Sequence, residues 1–143
     1  MDIARLIVGR ASADIVSCEG RTKVRDAVAL LADRRIGALP VVEGGRVAGI
    51  FSERDVLYCT AKEGGAALDR TVGEVMTAPA ITIAPSTKVD EALALMTRRR
   101  VRHLPVVDGQ TMCGFISIGD LVKSRIDEVE RDAAAMRDYI ATA

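Results

Sequence analysis

The feature that most limits how this chain can fold is an internal repeat. Residues 22–57 align without a gap on residues 87–122, and 16 of the 36 aligned positions are identical. Two copies at a constant offset of 65 residues indicate a tandem duplication, so the chain should form two similar structural units. The identical positions include these pairs: Leu39 and Leu104, Pro40 and Pro105, Val41 and Val106, Val42 and Val107, Gly49 and Gly114, Ser52 and Ser117, and Asp55 and Asp120.

Each copy begins with the pattern of an amphipathic helix. Apolar residues recur at i, i+3, i+4 and i+7 from Val24 and again from Val89, and this spacing places them on one helical face. Thr22 and Thr87 stand where helix N-caps are expected, and Asp90, three residues after Thr87, would complete a capping box.

Two strands and a tight turn are predicted after that helix in each copy. Gly44-Gly45 and Asp108-Gly109 supply the turns, and Ser52 and Ser117 then open further helices. One more short strand is predicted ahead of each copy. The predicted strands cover 14–17, 39–42, 46–51, 80–83, 104–107 and 111–116. The order β-α-β-β-α therefore occurs twice, which predicts an α/β (α+β) fold.

The segment between the copies is short and patterned, so the two units should pack against each other. It contains the Gly64-Gly65 break and a predicted short helix from Thr71, with Glu74 as its capping partner. We assign residues 1–68 to a first unit with an N-terminal helix, and residues 69–143 to a second unit with a C-terminal helix.

The C-terminal segment predicts a helix with an apolar stripe. Apolar residues step by four and three positions alternately, which is the spacing of a coiled-coil seam. Two packing partners fit this stripe: the same helix of a second copy, which we favour, or the chain's own core. The stripe consists of Val122, Ile126, Val129, Ala133, Met136 and Ile140.

The composition argues against nucleic-acid binding. Lys+Arg and Asp+Glu both total 20, Trp is absent and aromatic residues make up 3% of the chain, whereas nucleic-acid binders show a basic excess or stacking aromatic side chains. The run Arg98–Arg100 closes a predicted helix, where cations interact favourably with the helix dipole.

The cysteines and the single histidine predict neither a metal site nor a catalytic centre. Cys18, Cys59 and Cys113 form no CxxC pair, and we interpret them as buried thiols in a reducing compartment. Common hydrolase, zinc-protease and phosphate-loop motifs are missing, so we do not expect an enzyme. We find neither a signal-peptide core nor an apolar span long enough for a bilayer, and therefore expect a cytoplasmic protein without membrane contact.

The repeated segments resemble a pair of cystathionine-β-synthase (CBS) domains. The resemblance depends on Ile36–Val42 (IGALPVV), Val101–Val107 (VRHLPVV), Gly49–Asp55 (GIFSERD) and Gly114–Asp120 (GFISIGD). The whole chain is similar to small stand-alone bacterial CBS-pair proteins. The resemblance implies two repeats packed through their sheets, with two related clefts that bind adenine nucleotides such as AMP, ADP, ATP, NAD(H) or S-adenosylmethionine. It also implies a homodimer.

By this resemblance, the aspartate of each Ser-x-x-Asp would hold ribose hydroxyls, and neighbouring residues would contact phosphate or base. The second copy has Arg102-His103 where the first has Gly37-Ala38. That basic pair is similar to the phosphate-contacting pair of some family members. The residues carried over for one site are Gly37, Ala38, Pro40, Phe51, Ser52 and Asp55, with Arg54 as a further phosphate candidate; those for the other are Thr82, Arg102, His103, Pro105, Ile116, Ser117 and Asp120.

A structural interpretation of the same residues stays open. Ser-x-x-Asp ahead of a helix is also a capping box, and a helix cap is compatible with a ligand contact at the same place. His103 could be a structural residue, and Arg54 a solvated helix charge; Lys23 and Lys88 are expected to face solvent. The sequence therefore predicts a nucleotide-binding regulatory protein with an unidentified target protein, and the alternative is a ligand-free dimeric scaffold.

Overall fold

The computed structural model describes residues 1–142, and its two copies have closely matching elements. The helices are α1 (Ile3–Ile7), α2 (Val24–Arg34), α3 (Glu53–Glu63), α4 (Val72–Val75), α5 (Val89–Arg99) and α6 (Ile118–Thr142). The strands are β1 (Ala38–Glu43), β2 (Arg46–Ser52), β3 (His103–Asp108) and β4 (Thr111–Ser117), and 3-10 turns cover Ser12–Asp14 and Gly64–Asp69. The predicted mixed fold and its helices and hairpins are confirmed.

Each copy contains one antiparallel hairpin, β1 with β2 and β3 with β4. The register is the same in both, since Ala38 faces Ser52 and His103 faces Ser117. The turns need residues that accept positive φ: Gly44 and Gly45 have φ of 57° and 80°, and Gly109 has 65°.

The strands predicted at 14–17 and 80–83 are wrong as strands and are replaced by single parallel bridges. Ser12–Asp14 forms a 3-10 turn, and the bridge in the first copy joins Cys18 to Val41. Its equivalent joins Ile83 to Val106. Each incoming segment makes only two backbone hydrogen bonds to the hairpin, of 3.2 and 2.8 Å at Cys18 and of 3.0 and 2.8 Å at Ile83, which is too little pairing for a strand.

The predicted threonine caps are also wrong, because α2 and α5 begin one residue later, with Lys23 and Lys88 at the N-cap. Neither helix has a side-chain cap, and Asp90 forms no capping box. Backbone from another segment takes over this role: the N–H of Val24 donates to the carbonyl of Arg70 at 2.8 Å, and the N–H of Val89 to that of Met1 at 3.0 Å. The predicted cap at Thr71 is confirmed, since Glu74 Oε1 accepts from both its N–H and its hydroxyl.

The two hydrophobic cores do not follow chain order. The N-terminal helix, which we assigned to the first unit, packs in the core of the second copy through Ile3, whereas α4 fills the equivalent place in the first core through Val72. Matching hydrogen bonds of 2.8 Å fix both helices, from Ile3 to the carbonyl of Thr87 and from Val72 to that of Thr22. The buried first core comprises Val24, Ala27, Leu31, Leu39, Val41, Phe51 and Val72; the second comprises Ile3, Ile83, Val89, Ala92, Met96, Leu104, Val106, Ile116 and Leu121.

The C-terminal stripe does not pack on the chain's own core, so that option is excluded. Leu121 and Ser124 are the residues of α6 that are buried. Val122 at the start of the stripe is 44% exposed and Ile140 near its end is 66% exposed. None of the described helices is both long and apolar enough to cross a membrane.

Candidate functional site

The two Ser-x-x-Asp turns cap the helices that follow them, as predicted. The Oδ2 atom of Asp55 accepts from the backbone N–H of Ser52 at 2.9 Å, and the N–H of Asp55 donates back to the Ser52 hydroxyl at 3.4 Å. The second copy repeats this geometry, with distances of 3.0 and 3.1 Å between Ser117 and Asp120. Each turn therefore fixes a carboxylate beside the free N–H groups of a helix N-terminus, where anions bind favourably.

Asp55 is almost fully occupied by hydrogen bonds within the protein. Its side chain also accepts from the hydroxyls of Ser52, at 3.1 Å, and Thr77, at 2.9 Å, and the residue is only 7% exposed. With the Ser52 N–H, three of roughly four lone-pair positions of the carboxylate are used. Two ribose hydroxyls could not bind Asp55 unless the hydroxyl of Thr77 or of Ser52 gave up its hydrogen bond.

Asp120 is more accessible. Its side chain is 31% exposed, and its Oδ1 atom lies 3.6 Å from the guanidinium of Arg10, a residue outside the repeat. An ion pair of this length and exposure is weak, so incoming hydroxyl groups can compete for this carboxylate.

The Ser52–Asp55 turn borders a cleft of ≈ 510 Å³, here called the first cleft. The opposite wall comes from the second copy, at the end of α5 and the start of β3. Arginine dominates this wall, and with Arg54 the four arginines outnumber the two acidic residues Glu53 and Asp55. The cleft therefore favours anions. Its lining consists of Gly37, Ile50, Ser52, Glu53, Arg54, Asp55, Tyr58, Thr77, Pro79, Ala80, Ile81, Arg99, Arg100, Val101, Arg102 and His103.

The Ser117–Asp120 turn borders a second cleft, of ≈ 660 Å³. Its opposite wall comes from the first copy, at residues 35–38, and a third side comes from the segment after α1. Arg10 and Arg35 are balanced by Asp14 and Asp120, so the charged side chains of the second cleft sum to zero. The lining consists of Ile7, Gly9, Arg10, Ala11, Asp14, Ile15, Val16, Arg35, Ile36, Gly37, Ala38, His103, Cys113, Gly114, Phe115, Ser117 and Asp120.

The structure therefore groups the candidate residues differently from the sequence. The sequence groups Arg102 with Ser117 and Asp120, but in the structure Arg102 lines the first cleft with Ser52 and Asp55. Ala38 is grouped with Ser52 and Asp55 in the sequence analysis, but it lines the second cleft, with Ser117 and Asp120. Gly37 and His103 line both clefts. The reason is that each cleft lies between the copies, so each turn faces the pre-strand segment of the other copy.

Several candidates lie outside both clefts. Pro40, Phe51, Pro105 and Ile116 are buried, and Thr82 is exposed; none of the five lines either cleft. Phe51 and Ile116 precede the serines, and because strand residues alternate between faces, their neighbours Ile50 and Phe115 line the clefts instead. The period of two in β2 and β4 could have identified this pair. Nothing in the sequence marked the contributions of Arg10, Tyr58 and Thr77.

His103 occupies the boundary between the two clefts. Its ring stacks on Phe115 with centroids 5.6 Å apart and planes 13° apart. Burial lowers the pKa of the imidazole, and the nearby carboxylates of Asp120 and Glu53 oppose this shift. A Cβ at position 37 would lie 3.5 Å from His103 Cε1, in ordinary van der Waals contact with the ring.

The other candidate cations make contacts within the protein. Arg54 donates to the carbonyl of Arg100 at 2.9 Å and thereby links α3 to the second copy. Lys23 donates to the carbonyl of Asp69 at 3.1 Å, and Lys88 forms an ion pair with Asp2 at 2.5 Å. The lysines are exposed, as expected, but they also tie the helix starts to neighbouring segments.

The thiols and acidic groups do not assemble into a metal site. Across residues 1–142, no three His, Cys, Asp or Glu side chains are placed to hold a metal ion together. All three cysteines are free, but they are half-buried and not fully buried as expected. Partial burial raises the pKa of the Cys18 thiol to about 11, which keeps that thiol protonated and unreactive at neutral pH.

Comparison with known proteins agrees with this architecture. The CBS domain family model matches residues 5–61 and 72–127. The chain therefore belongs to the CBS-domain family and contains two CBS repeats.

Individual relatives and solved structures are similar to most of this chain. The mitochondrial CBS domain-containing protein CBSX3 of Arabidopsis thaliana is 38% identical over 128 residues, which cover 86% of this chain and 62% of that protein. A CBS-domain protein structure from Burkholderia ambifaria superposes with a TM-score of 0.81 at 40% identity, covering 89% of this chain and 95% of that one. The structure of CBSX2 in complex with AMP has the same fold, with a TM-score of 0.76 at 23% identity over 88% of this chain and 96% of that chain.

Proposed function

We propose that this CBS pair is a regulatory module that binds an adenine nucleotide, namely AMP, ADP, ATP or NAD(H), in the clefts between its repeats. Binding would signal to a target protein by changing the conformation or the oligomeric state of the module. The observation that carries the proposal is the construction of the clefts: each joins a Ser-x-x-Asp turn of one copy to the pre-strand segment of the other. A ligand that contacts both walls would alter how the copies pack.

The chemistry of the clefts suits an adenosine with attached phosphate. Phosphate would bind at the N-terminus of α3 or α6, where free N–H groups and the helix dipole favour anions. An acceptor-only carboxylate suits the paired hydroxyls of ribose, and Asp120 is the more accessible of the two carboxylates. The apolar side chains Ile50 and Phe115 would border the base.

Because the two clefts differ in charge, we expect them to prefer different nucleotides. The first cleft, with four arginines, suits the more highly phosphorylated nucleotides, and the second, with balanced charges, suits AMP or a nucleoside. The AMP complex of CBSX2 supports adenine nucleotides as the ligand class of a related fold.

We further propose that the module is regulatory and not catalytic, and that it acts in the cytoplasm. The single imidazole has its pKa lowered by burial and stacks on an apolar ring, which suits binding better than proton transfer. Three free thiols fit a reducing compartment. The alternative is a scaffold whose turns serve only as helix caps, which the hydrogen bonds around Asp55 favour for the first cleft.

A thermal-shift screen tests the proposal. Purified protein is heated with AMP, ADP, ATP, NAD+, NADH, S-adenosylmethionine or GTP, and the same series is run on Asp55→Asn, Asp120→Asn and the exposed control Asp33→Asn. A ligand at 100 times its dissociation constant stabilises the native state by ~2.7 kcal/mol. We expect adenine ligands to raise the melting temperature of the wild type and the control, and Asp120→Asn to lose most of the AMP shift.

Each variant is compared with its own ligand-free melting curve, so a loss of stability from the missing cap is separated from a loss of binding. Absence of a shift with every adenine ligand would identify the turns as helix caps and the protein as a scaffold. A shift that survives when Asp55→Asn and Asp120→Asn are combined in one chain would place the binding site outside both clefts.

A further inference from the structure

The apolar stripe of α6 is an unpartnered surface with a regular heptad spacing. Apart from Ala133, which is also exposed, its members are large apolar side chains that are 44–66% exposed. We call this surface the α6 seam; it comprises Val122, Ile126, Val129, Ala133, Met136 and Ile140.

The α6 seam points away from the body of the protein. At about 100° per residue, the middle of the seam lies about 130° around the helix from the midpoint between Leu121 and Ser124, the two residues of α6 that are buried. Ser124 also contacts Met1, with 3.3 Å between its Oγ and the methionine Sδ. One face of α6 is therefore fixed to the second repeat, and the seam remains free for another helix.

The charges beside the seam determine which helix fits. If Ile126, Ala133 and Ile140 occupy heptad positions a, the charged residues at the flanking positions g are Arg125 and Asp132, and those at the flanking positions e are Lys123, Glu130 and Arg137. In a parallel pair, each g residue faces the following e residue of the other helix. Arg125 would then face Glu130 of the second copy and Asp132 would face Arg137, so all four contacts of the symmetric pair join opposite charges.

The antiparallel arrangement fails the same test. Full overlap of the two seams would place Ile126 opposite Met136 of the other helix. The contacts between charged flanking residues would then be Lys123 with Arg137, Glu130 with Glu130 and Asp132 with Asp132, which all join like charges. Since like charges at such positions are used to exclude alternative pairings, the sequence of α6 rejects this orientation.

We propose that the α6 seam binds the seam of a second copy of this chain, as a parallel, in-register two-stranded coiled coil. The proposal does not depend on nucleotide binding. Arg125 lies 3.3 Å from Glu128 of its own helix and is 49% exposed, so its guanidinium keeps further N–H groups for Glu130 of the second copy. The two CBS pairs would lie at the same end of the coiled coil.

Disulfide trapping in the full chain tests the orientation. Ala133→Cys places a thiol at a central position a, which faces itself only in the parallel pair. Mild oxidation of the Ala133→Cys variant by itself should give a covalent dimer. Peptide mapping should show that the disulfide joins residue 133 of one chain to residue 133 of the other. The wild type, which keeps Cys18, Cys59 and Cys113, is the control for background cross-linking. A dimer that forms only when Ala133→Cys is mixed with Val129→Cys would overturn the proposal, because these positions meet in the antiparallel pair.

Sedimentation equilibrium tests the charge pairing. Asp132→Lys turns two attractive contacts of the dimer into repulsive ones and should raise its dissociation constant about tenfold, whereas Asp138→Lys, the same change on the outer face of α6, should have little effect. Adding Arg137→Glu to Asp132→Lys should restore the wild-type value. A wild type that sediments as a monomer at high micromolar concentration would overturn the proposal, and so would equal effects of the changes at 132 and 138.

Discussion

The hydroxyl of Thr77 donates a hydrogen bond of 2.9 Å to Oδ1 of Asp55, and this contact joins the segment between the copies to the turn that opens α3. Backbone hydrogen bonds of 2.9 Å in both directions between Thr77 and Ile50 hold the same segment against β2. Thr77 therefore fixes the carboxylate of the first cleft and at the same time limits what that carboxylate can bind.

We expect Thr77→Val to destabilise the native state by about 1 kcal/mol, because it removes one hydrogen bond from a buried carboxylate while keeping the side-chain shape. Urea unfolding followed by circular dichroism measures the change. The matched control is Thr82→Val, at an exposed threonine for which no side-chain hydrogen bond is found within the described residues. Equal stability of the two variants would mean that the Thr77 hydroxyl does not hold Asp55.

The repeated glycines Gly49 and Gly114 give a second prediction. A Cβ at Gly49 would lie 2.7 Å from the carbonyl oxygen of Thr77, which is backbone, whereas a Cβ at Gly114 would lie 2.9 Å from the Cγ2 methyl of Ile7, which is a side-chain atom. Gly49→Ala should therefore cost about 1–3 kcal/mol of stability, and Gly114→Ala less. The control is Gly65→Ala, because a Cβ there would meet no atom within 4 Å. The reverse order in thermal unfolding would contradict the close approach of Thr77 to β2.

Local features of this fold could be predicted because their causes are local. The turns at Gly44 and Gly109 follow from the positive φ that these positions require, and the caps at Ser52 and Ser117 follow from a partner three residues away. The alternation of side chains along β2 also follows from sequence, although we assigned Phe51, and not Ile50, to the cleft.

The features that could not be predicted depend on contacts between distant segments. The N-terminal helix packs on the second copy because its backbone N–H groups donate to the carbonyls of Pro85 and Thr87. The spacing of apolar residues along the chain does not indicate which copy a helix will pack against. The same applies to Arg102, whose place opposite Ser52 depends on how the two copies pack. An alignment of one copy on the other shows equivalent residues, but it does not show which residues of different copies meet.

His103 predicts a dependence of stability on pH. Its folded pKa is lowered by burial below the ordinary value of 6.5, so on acidification the unfolded chain takes up a proton before the folded chain does. The contribution of His103 to stability should be constant above about pH 6.5, fall as the pH drops below that value, and level off below the folded pKa. In His103→Asn, urea unfolding at several pH values should show a smaller loss over this window. An unchanged loss would assign the pH dependence to other groups.

The same residue reports ligand binding. His103 is the only histidine in the chain, so its imidazole gives one set of NMR signals that can be titrated without assignment. Free protein should show a midpoint below 6.5, and saturating AMP should raise it if the phosphate lies beside the ring, because a nearby anion favours the protonated form. A midpoint at or above 6.5 in the free protein would contradict the burial of the ring, and an unchanged midpoint in the presence of bound AMP would place the phosphate away from His103.

The assignment of Arg102 to the first cleft predicts which pairs of substitutions interact. Arg102→Ala should weaken ATP binding about tenfold through the loss of one contact to phosphate, with a smaller effect on AMP, while the control Arg98→Ala, which lines neither cleft, should bind as the wild type. A double-mutant cycle measured by calorimetry tests which residues share a ligand. The changes in ATP-binding free energy caused by Arg102→Ala and Asp55→Asn should not add up in the double variant, because both residues would contact one ligand. The changes caused by Arg102→Ala and Asp120→Asn should add up. If Arg102 were coupled to Asp120 and not to Asp55, the assignment of Arg102 to the first cleft would be wrong. Each Ser-x-x-Asp turn would then bind ligand together with the pre-strand segment of its own copy.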